Sequence, residues 1–120
     1  MHIVNELPLR VEKPWGWELW IAKTDLYLGK ILHINPGECL SLQYHKEKDE
    51  SIFVLNGILK MEIKENGEIK EFILKENDCF RIPPRTIHRF KSDNGCDIIE
   101  VSTPHFEDVV RLEDKYGRII

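Results

Sequence analysis

The chain contains 120 residues, a length that suits one domain with a single hydrophobic core. Charged residues make up 32% and hydrophobic residues 42% of the sequence, and the formal net charge of -4, without basic clusters, argues against a nucleic-acid-binding surface. The richest apolar run, residues 52–59, falls far short of the ~20 residues that cross a bilayer, and residues 1–10 lack a signal-peptide layout, so we expect a cytoplasmic protein that binds neither nucleic acid nor membrane.

Short runs of alternating apolar and polar residues recur along the chain, which is the pattern of half-buried β-strands. Turn-forming residues separate these runs, and Asn66-Gly67 marks the clearest hairpin, because a type I′ turn needs two residues that tolerate positive φ. Residues 106–116 predict a short helix or an irregular segment instead. The predicted strands cover residues 17–21, 27–34, 40–45, 51–55, 58–64, 69–74, 79–82, 88–91 and 97–102.

The number and spacing of these strands favour a single all-β domain over residues 1–120, closed as a barrel or jelly roll so that few strand edges stay exposed. An immunoglobulin-like sandwich is the alternative topology. The sequence lacks the Cys-Trp-Cys pattern that would support it.

Four polar side chains occupy positions that the strand pattern assigns to the interior. Gln43 and His45 lie two residues apart and share a face, Glu50 begins the next strand, and His88 comes from a distant part of the chain. Burying an amide, a carboxylate and two imidazoles without a partner would cost several kcal/mol. A divalent cation would remove this cost, so these four residues are predicted metal ligands.

Each of these residues has a more ordinary explanation when considered alone. A single histidine is more often a hydrogen-bonded structural residue, a buried glutamine can bond to backbone, and a glutamate at a strand end is usually exposed. Their joint spacing favours a metal site. Imidazole and carboxylate ligands suit Zn²⁺, Mn²⁺, Fe²⁺ or Ni²⁺, whereas an all-oxygen calcium cage or soft Cu(I) matches them poorly.

The stretch from Gly37 to Gly57 resembles the first cupin motif. It contains a glycine, a ligand pair two residues apart, a glutamate five residues later and a glycine seven beyond that, with Gln43 at the position that is more often a histidine. The resemblance implies the cupin fold, a double-stranded β-helix or jelly-roll barrel, with a short irregular or helical C-terminal segment.

The second cupin motif corresponds to NDCFRIPPRTIHRF. Pro83 and His88 match it, Asn77 replaces a glycine at a turn with positive φ, and Arg85 replaces another glycine. The two motifs together identify the chain as a cupin on resemblance, and they implicate the same four ligands as the strand pattern does.

A closer likeness covers almost the whole chain. The segments KPWGWE, SLQYHKEKDE, IPPRTIHRF, IIEV and EDVVRLEDKYGR resemble the cupin domain of type II mannose-6-phosphate isomerase, usually the C-terminal part of a bifunctional mannose-1-phosphate guanylyltransferase. The resemblance implies an aldose–ketose isomerase that acts on a sugar or sugar phosphate through a metal-stabilised enediolate. It also implies that Gln43, His45, Glu50 and His88 hold a divalent metal, most often zinc, with Mn, Fe or Ni as other candidates.

Three departures from the family pattern bear on the substrate. The guanylyltransferase domain is absent from these residues, so nucleotide transfer is not expected. Lys48 stands where the family has an arginine, which loses a bidentate contact to phosphate, and Ile52 stands where the family tends to have tryptophan. The two substitutions fall near the expected mouth of the pocket and leave the predicted ligands intact.

Isomerisation moves a proton between neighbouring carbons and therefore needs a base as well as stabilisation of the developing oxyanions. Lys48, Arg89 and Glu100 are the catalytic candidates, although each is also explained as a solvated charge or an ion pair. Strict alternation turns Arg89 away from His88, so its role requires a bulge or a position at the barrel rim. The cations available to a phosphate are Lys48, Arg85, Arg89 and Arg111.

Two other functions stay open at this point. A metal with open coordination positions in a small barrel can activate O₂, so an iron-dependent dioxygenase is one alternative, disfavoured because Gln43 makes the ligand set less electron-rich than a histidine would. A non-catalytic module that holds metal and carbohydrate is the other. The resemblance also implies a homodimer, for which the segment PWGWELW is a candidate contact.

Overall fold

The computed structural model describes residue 4 and residues 6–119. Every regular secondary-structure element in that part of the chain is a β-strand, which confirms the all-β prediction. Among the described residues, no helix is long and apolar enough to span a membrane. The strands are β1 (Leu9–Lys13), β2 (Gly16–Lys23), β3 (Leu28–Ile34), β4 (Glu38–Cys39), β5 (Leu42–Tyr44), β6 (Glu50–Gly57), β7 (Leu59–Glu65), β8 (Glu68–Leu74), β9 (Cys79–Ile82), β10 (Ile87–Ser92), β11 (Cys96–Ser102) and β12 (Val110–Glu113).

The strands form two antiparallel sheets whose inner faces share one core. The first sheet has the order β1-β2-β3-β11-β6-β9, and the second has the order β12-β5-β10-β7-β8, with β4 also paired to β10. The chain crosses repeatedly between the sheets, for example from β5 to β6 and from β10 to β11. Residues distant in sequence therefore become neighbours on the inner faces.

Alternation along the strands determines which side chains fill the core. In the first sheet Ile34 and Ile98 are fully buried, and in the second Met61 and Phe90 pack into the same apolar cluster. Burying side chains of this size stabilises the fold by about 1.5–3 kcal/mol each, so this cluster is what holds the two sheets together.

The turns agree with the sequence-based assignment. Asn66 and Gly67 join β7 to β8 with φ of 51° and 78°, as a two-residue hairpin with positive φ requires. Asn77 and Arg85, which stand at glycine positions of the second cupin motif, also have positive φ, of 72° and 67°. The backbone thus keeps the left-handed conformation at both positions although the glycines are gone.

Three elements differ from the expectation. β1 was not predicted, because its sequence LRVEK is short and mostly polar, as suits an edge strand. The predicted strand 40–45 is shortened to β5, and the two-residue β4 precedes the predicted span. The C-terminal segment is irregular rather than helical and contains β12, which pairs with β5 and so extends the second sheet.

The three tryptophans near the N-terminus face different surroundings. Trp15 is buried in the core, Trp17 stacks on His33 with ring centroids 5.0 Å apart, and Trp20 lines the cavity described below.

Candidate metal centre

Neighbouring strands bring the predicted ligands to one place. Gln43 of β5 lies opposite His88 of β10, and Arg111 of β12 lies opposite Gln43. Directly opposed residues point to the same face of a sheet, so these three side chains form a row. His45 follows the end of β5, and Glu50 opens β6 in the other sheet, which places the site where the two sheets meet.

Three of the predicted ligands form a compact cluster. His45, Glu50 and His88 are buried, and each offers a ligand atom within 4.8 Å of the others. His45 Nε2 lies 3.3 Å from Glu50 Oε2, and the two imidazole ring centroids are 5.5 Å apart. Gln43 is half-buried and lines the same cavity.

Hydrogen bonds to backbone carbonyls define the tautomer of each histidine. His88 Nδ1 lies 2.8 Å from the carbonyl oxygen of Thr86, and His45 Nδ1 contacts the carbonyl oxygen of Asp108. Because a carbonyl only accepts, the proton of each ring sits on Nδ1 and the lone pair stays on Nε2. Both histidines are therefore prepared to ligate through Nε2, as metal-binding histidines usually are.

The carboxylate of Glu50 is buried yet lacks a hydrogen-bond donor for one of its oxygens. Oε2 has no hydrogen-bond partner among the described residues, although His45 Nε2 and Lys48 Nζ each lie 3.3 Å away. Burial alone would raise the pKa of Glu50, but His45 and the Lys48 charge lower it below its ordinary value. A buried carboxylate oxygen in this state is suited to a cation.

The donor set fits a divalent cation. Two imidazole nitrogens, one carboxylate oxygen and a nearby amide match the borderline metals zinc, manganese, iron and nickel. Burial lowers the pKa of His88, which keeps the ring in the neutral form that a metal requires, although the Glu50 charge opposes this effect. The four-ligand assignment stays a prediction.

Two of the catalytic candidates lie in the same cavity. Lys48 Nζ is 3.3 Å from Glu50 Oε2 and 2.8 Å from Glu100 Oε2, and Ser102 Oγ donates to the same Glu100 oxygen at 3.2 Å. Burial lowers the pKa of Lys48, but the charges of Glu100 and Glu50 outweigh this effect and raise it. Lys48 is thus an ammonium that links a candidate ligand to a second carboxylate.

The structure does not bring Arg89 to this cavity. Arg89 Nε donates to Glu62 at 2.8 Å, and its Nη1 lies 3.6 Å from Glu113, on the face of the second sheet opposite to His88. Strand alternation is maintained here, so the bulge that a catalytic role required is absent from this strand pair. Arg85, a candidate for phosphate binding, is exposed and also does not line the cavity.

Asp108 was not among the predicted residues, yet it organises the ligand loop. Its carboxylate accepts hydrogen bonds from three consecutive backbone amides, those of Lys46, Glu47 and Lys48, at 3.0, 2.7 and 3.0 Å. Burial alone would raise the pKa of Asp108, but these amides lower it to about 2. Since its own carbonyl also orients His45, one residue holds both ends of the turn that leads to Glu50.

The cluster opens into a charged cavity of about 130 Å³. Glu18 and Lys30 line it as a buried pair that the sequence analysis did not select. The sequence contained a signal for this pair, because both residues occupy inward positions of strands in which apolar and polar residues alternate. The same pattern selected His45. Further cations in the cavity wall are Lys13, Arg111 and Arg118.

The fold agrees with that of the proteins to which the chain is similar. Its residues 4–114 match the family described as mannose-6-phosphate isomerase C-terminal, and the chain belongs to that family. The mannose-1-phosphate guanylyltransferase ManC of Salmonella typhimurium is 36% identical over 114 residues, which is 91% of this chain and 23% of ManC. The chain thus spans about a quarter of the length of such relatives.

Solved structures show the cupin fold. The capsular polysaccharide assembling protein CapF of Staphylococcus aureus matches 88% of this chain and 34% of its own, with a TM-score of 0.75 and 21% identity. Bacillus subtilis oxalate decarboxylase, a protein studied for its Mn(II) centres, matches 86% of this chain and 29% of its own, with a TM-score of 0.73 and 17% identity.

Proposed function

We propose that this chain is a metal-dependent isomerase that interconverts an aldose phosphate and the corresponding ketose phosphate. The observation that carries the proposal is the buried cluster of His45, Glu50 and His88, whose free ligand atoms open into a charged cavity. Family membership supports the reaction type, and mannose 6-phosphate is the first substrate to test.

The metal would be held by His45 and His88 through Nε2, by the Glu50 carboxylate and by the Gln43 amide oxygen. Zinc and manganese are the first ions to test, since the donor set suits both and a cupin-fold neighbour has Mn(II) centres. When bound, the cation would stabilise the negative charge that develops on O1 and O2 of the sugar during enolisation.

Lys48 is assigned a positioning role. Its ammonium forms ion pairs with both Glu50 and Glu100, at 3.3 and 2.8 Å, so it orients a candidate ligand and a second carboxylate at the same time. An ammonium in this position is a proton donor, so the base that isomerisation needs is one of the carboxylates in the cavity.

Arg111 provides the basis for recognising a phosphate. Its Nε is buried and has no hydrogen-bond partner among the described residues, and it lies opposite Gln43 in the row that leads to His88. A buried guanidinium donor without an acceptor favours an anionic ligand, because leaving it unpaired costs about 1–3 kcal/mol or more. Lys13 and Arg118 add positive charge to the same cavity.

The test is metal analysis of the purified protein, followed by isomerase assays with mannose 6-phosphate and with mannose. We expect about one divalent ion per chain, and activity that a chelator removes and that zinc or manganese restores. The double variant His45→Ala/His88→Ala should lose both the metal and the activity. His33→Ala is the matched control, since His33 stacks on Trp17 and pairs with Asp97 outside the cavity.

Metal at the wild-type stoichiometry in the double variant would contradict the site. Bound metal without isomerisation would contradict the reaction. In that case O₂ consumption by the iron-loaded protein would favour the dioxygenase, and sugar binding without turnover would favour the non-catalytic module.

A further inference from the structure

A second group of charged side chains lies in the cavity and takes no part in the contacts of the candidate ligands. Glu18 of β2 and Lys30 of β3 are only 8% and 5% exposed. Lys30 Nζ lies 3.3 Å from Glu18 Oε1, and Trp20 Nε1 donates to the same oxygen at 2.9 Å. Both of these contacts are made to Oε1 of Glu18.

Stability alone does not explain this pair. Taking two charges out of water costs several kcal/mol each, and apolar residues of similar size often give equal or greater stability. The next inward residues of β3 are Leu32 and Ile34, which are apolar and buried. Leu28, the inward residue on the other side of Lys30, is also apolar and buried, so Lys30 interrupts an apolar row where the strand lines the cavity. This placement indicates that the pair serves what the cavity binds.

We propose that Glu18 is the catalytic carboxylate that moves the proton between the two reacting carbons, and that Lys30 is its positioning residue. This inference rests on the proposed isomerase function. It deepens that function by assigning the base that the reaction needs.

In the forward direction Glu18 removes the proton from C2 of the open-chain aldose. The C2–H electron pair becomes the C1–C2 double bond, and the C1 carbonyl electrons move to O1, giving an enediolate. The protonated Glu18 then returns its proton to C1, the C2–O bond becomes the ketone, and the hydroxyl proton passes from O2 to O1. No oxidant or reductant is needed, and the carboxylate is regenerated.

Glu100 is the rival carboxylate, and its contacts favour a different role. Its Oε2 is held by Lys48 and Ser102, and Lys48 also contacts Glu50, so Glu100 belongs to the support of the candidate metal centre. Glu18 lies instead beside Trp20, whose ring meets that of Phe106 edge to face at 5.7 Å. Both aromatic rings line the cavity. They would pack against the apolar C–H face of a sugar, hold it near the base and exclude water.

The experiment follows both turnover and hydrogen exchange in D₂O, with metal-replete protein and mannose 6-phosphate. For Glu18→Gln we expect isomerisation and deuterium incorporation into C–H positions to fall by about 10²- to 10⁴-fold, the usual contribution of a general base. Metal content and KM should stay close to the wild type, because Glu18 contacts no candidate ligand. Glu12→Gln, an exposed carboxylate on β1, is the control and should behave as the wild type.

A second variant addresses the risk that an unpaired buried Lys30 impairs folding. Glu18→Asp keeps the charge and the partner of Lys30 but withdraws the carboxylate, so it should retain the fold and metal while losing exchange. Wild-type exchange in either Glu18 variant would overturn the assignment, and loss of exchange in Glu100→Gln alone, with metal retained, would transfer the role to Glu100. Absence of isomerisation in the metal-loaded wild type would instead refute the proposed function, and this assignment with it.

Discussion

Replacement of Asp108 by alanine should weaken the metal site without touching a candidate ligand. The carboxylate accepts the amides of residues 46–48 at 2.7–3.0 Å, in the manner of a helix cap on a turn. Loss of a capping carboxylate costs about 0.5–2 kcal/mol, and three charge-assisted bonds place this case at the upper end, about 2 kcal/mol. The loop also carries His45 towards Glu50, so metal affinity should fall by about 10- to 100-fold, as for other residues that orient ligands.

Two measurements separate these effects. Urea unfolding of the metal-free protein gives the change in the free energy of unfolding, and calorimetric titration with zinc or manganese gives the change in affinity. Asp93→Ala is the control, because Asp93 is an exposed acid that pairs with Lys60 Nζ at 2.6 Å outside the cavity. Because the pair is exposed, the variant should leave both the free energy of unfolding and the metal affinity close to the wild type. If Asp108→Ala matched this control in both measurements, the loop contacts would have no role in forming the site.

Three further predictions concern other parts of the cavity and the barrel. Arg111→Met should raise KM for mannose 6-phosphate by at least about tenfold while leaving KM for mannose within about twofold, measured by steady-state kinetics, because a buried charged hydrogen bond to phosphate is worth about 1.5–3 kcal/mol. The Arg118 guanidinium lowers the pKa of Asp114 from 3.8 to about 2. The stability that this pair contributes is therefore complete above about pH 4 and is lost as the pH falls towards 2. In thermal unfolding, Asp114→Asn should reduce this part of the acid dependence. Gly57→Ala should lower the free energy of unfolding in urea by more than about 2 kcal/mol, since the added Cβ would lie 2.4 Å from a backbone oxygen. Gly67→Ala has the same φ of 78° but open space around it, so it should cost only about 1–2 kcal/mol.

Strand alternation predicted the candidate ligands because it is a local rule. Gln43 and His45 share a face whatever the rest of the chain does, and the strands that carry Glu50 and His88 are bounded by their own turn residues. The same rule predicts correctly that Arg89 points away from His88, which the Glu62 contact of Arg89 illustrates. The role of an inward-facing charged side chain, however, depends on its neighbours on adjacent strands. Those neighbours are set by the register of strand pairing, which strand alternation does not predict.

Other features depend on contacts that alternation does not encode. Asp108 lies in an irregular segment, and its role arises only because that segment packs against residues 46–48, some 60 positions earlier. Strand β12 has a sequence that is compatible with a helix and becomes a strand because the edge of β5 is available to it. Both are consequences of closing the barrel.

The inner face of the first sheet divides into two regions with different tasks. One contains Leu32, Ile34, Val54 and Ile98, which are buried and apolar, while the other carries Glu18, Lys30, Glu50 and Glu100. Charges can be retained in the second region because the same strands are anchored by the first, so their desolvation cost does not unfold the barrel. Opposite charges there are paired through Lys30 and Lys48, whereas Glu50 Oε2 and Arg111 Nε lack hydrogen-bond partners among the described residues. The unmatched acceptor and the unmatched donor are what a cation and an anionic substrate would satisfy, each at its own position in the cavity.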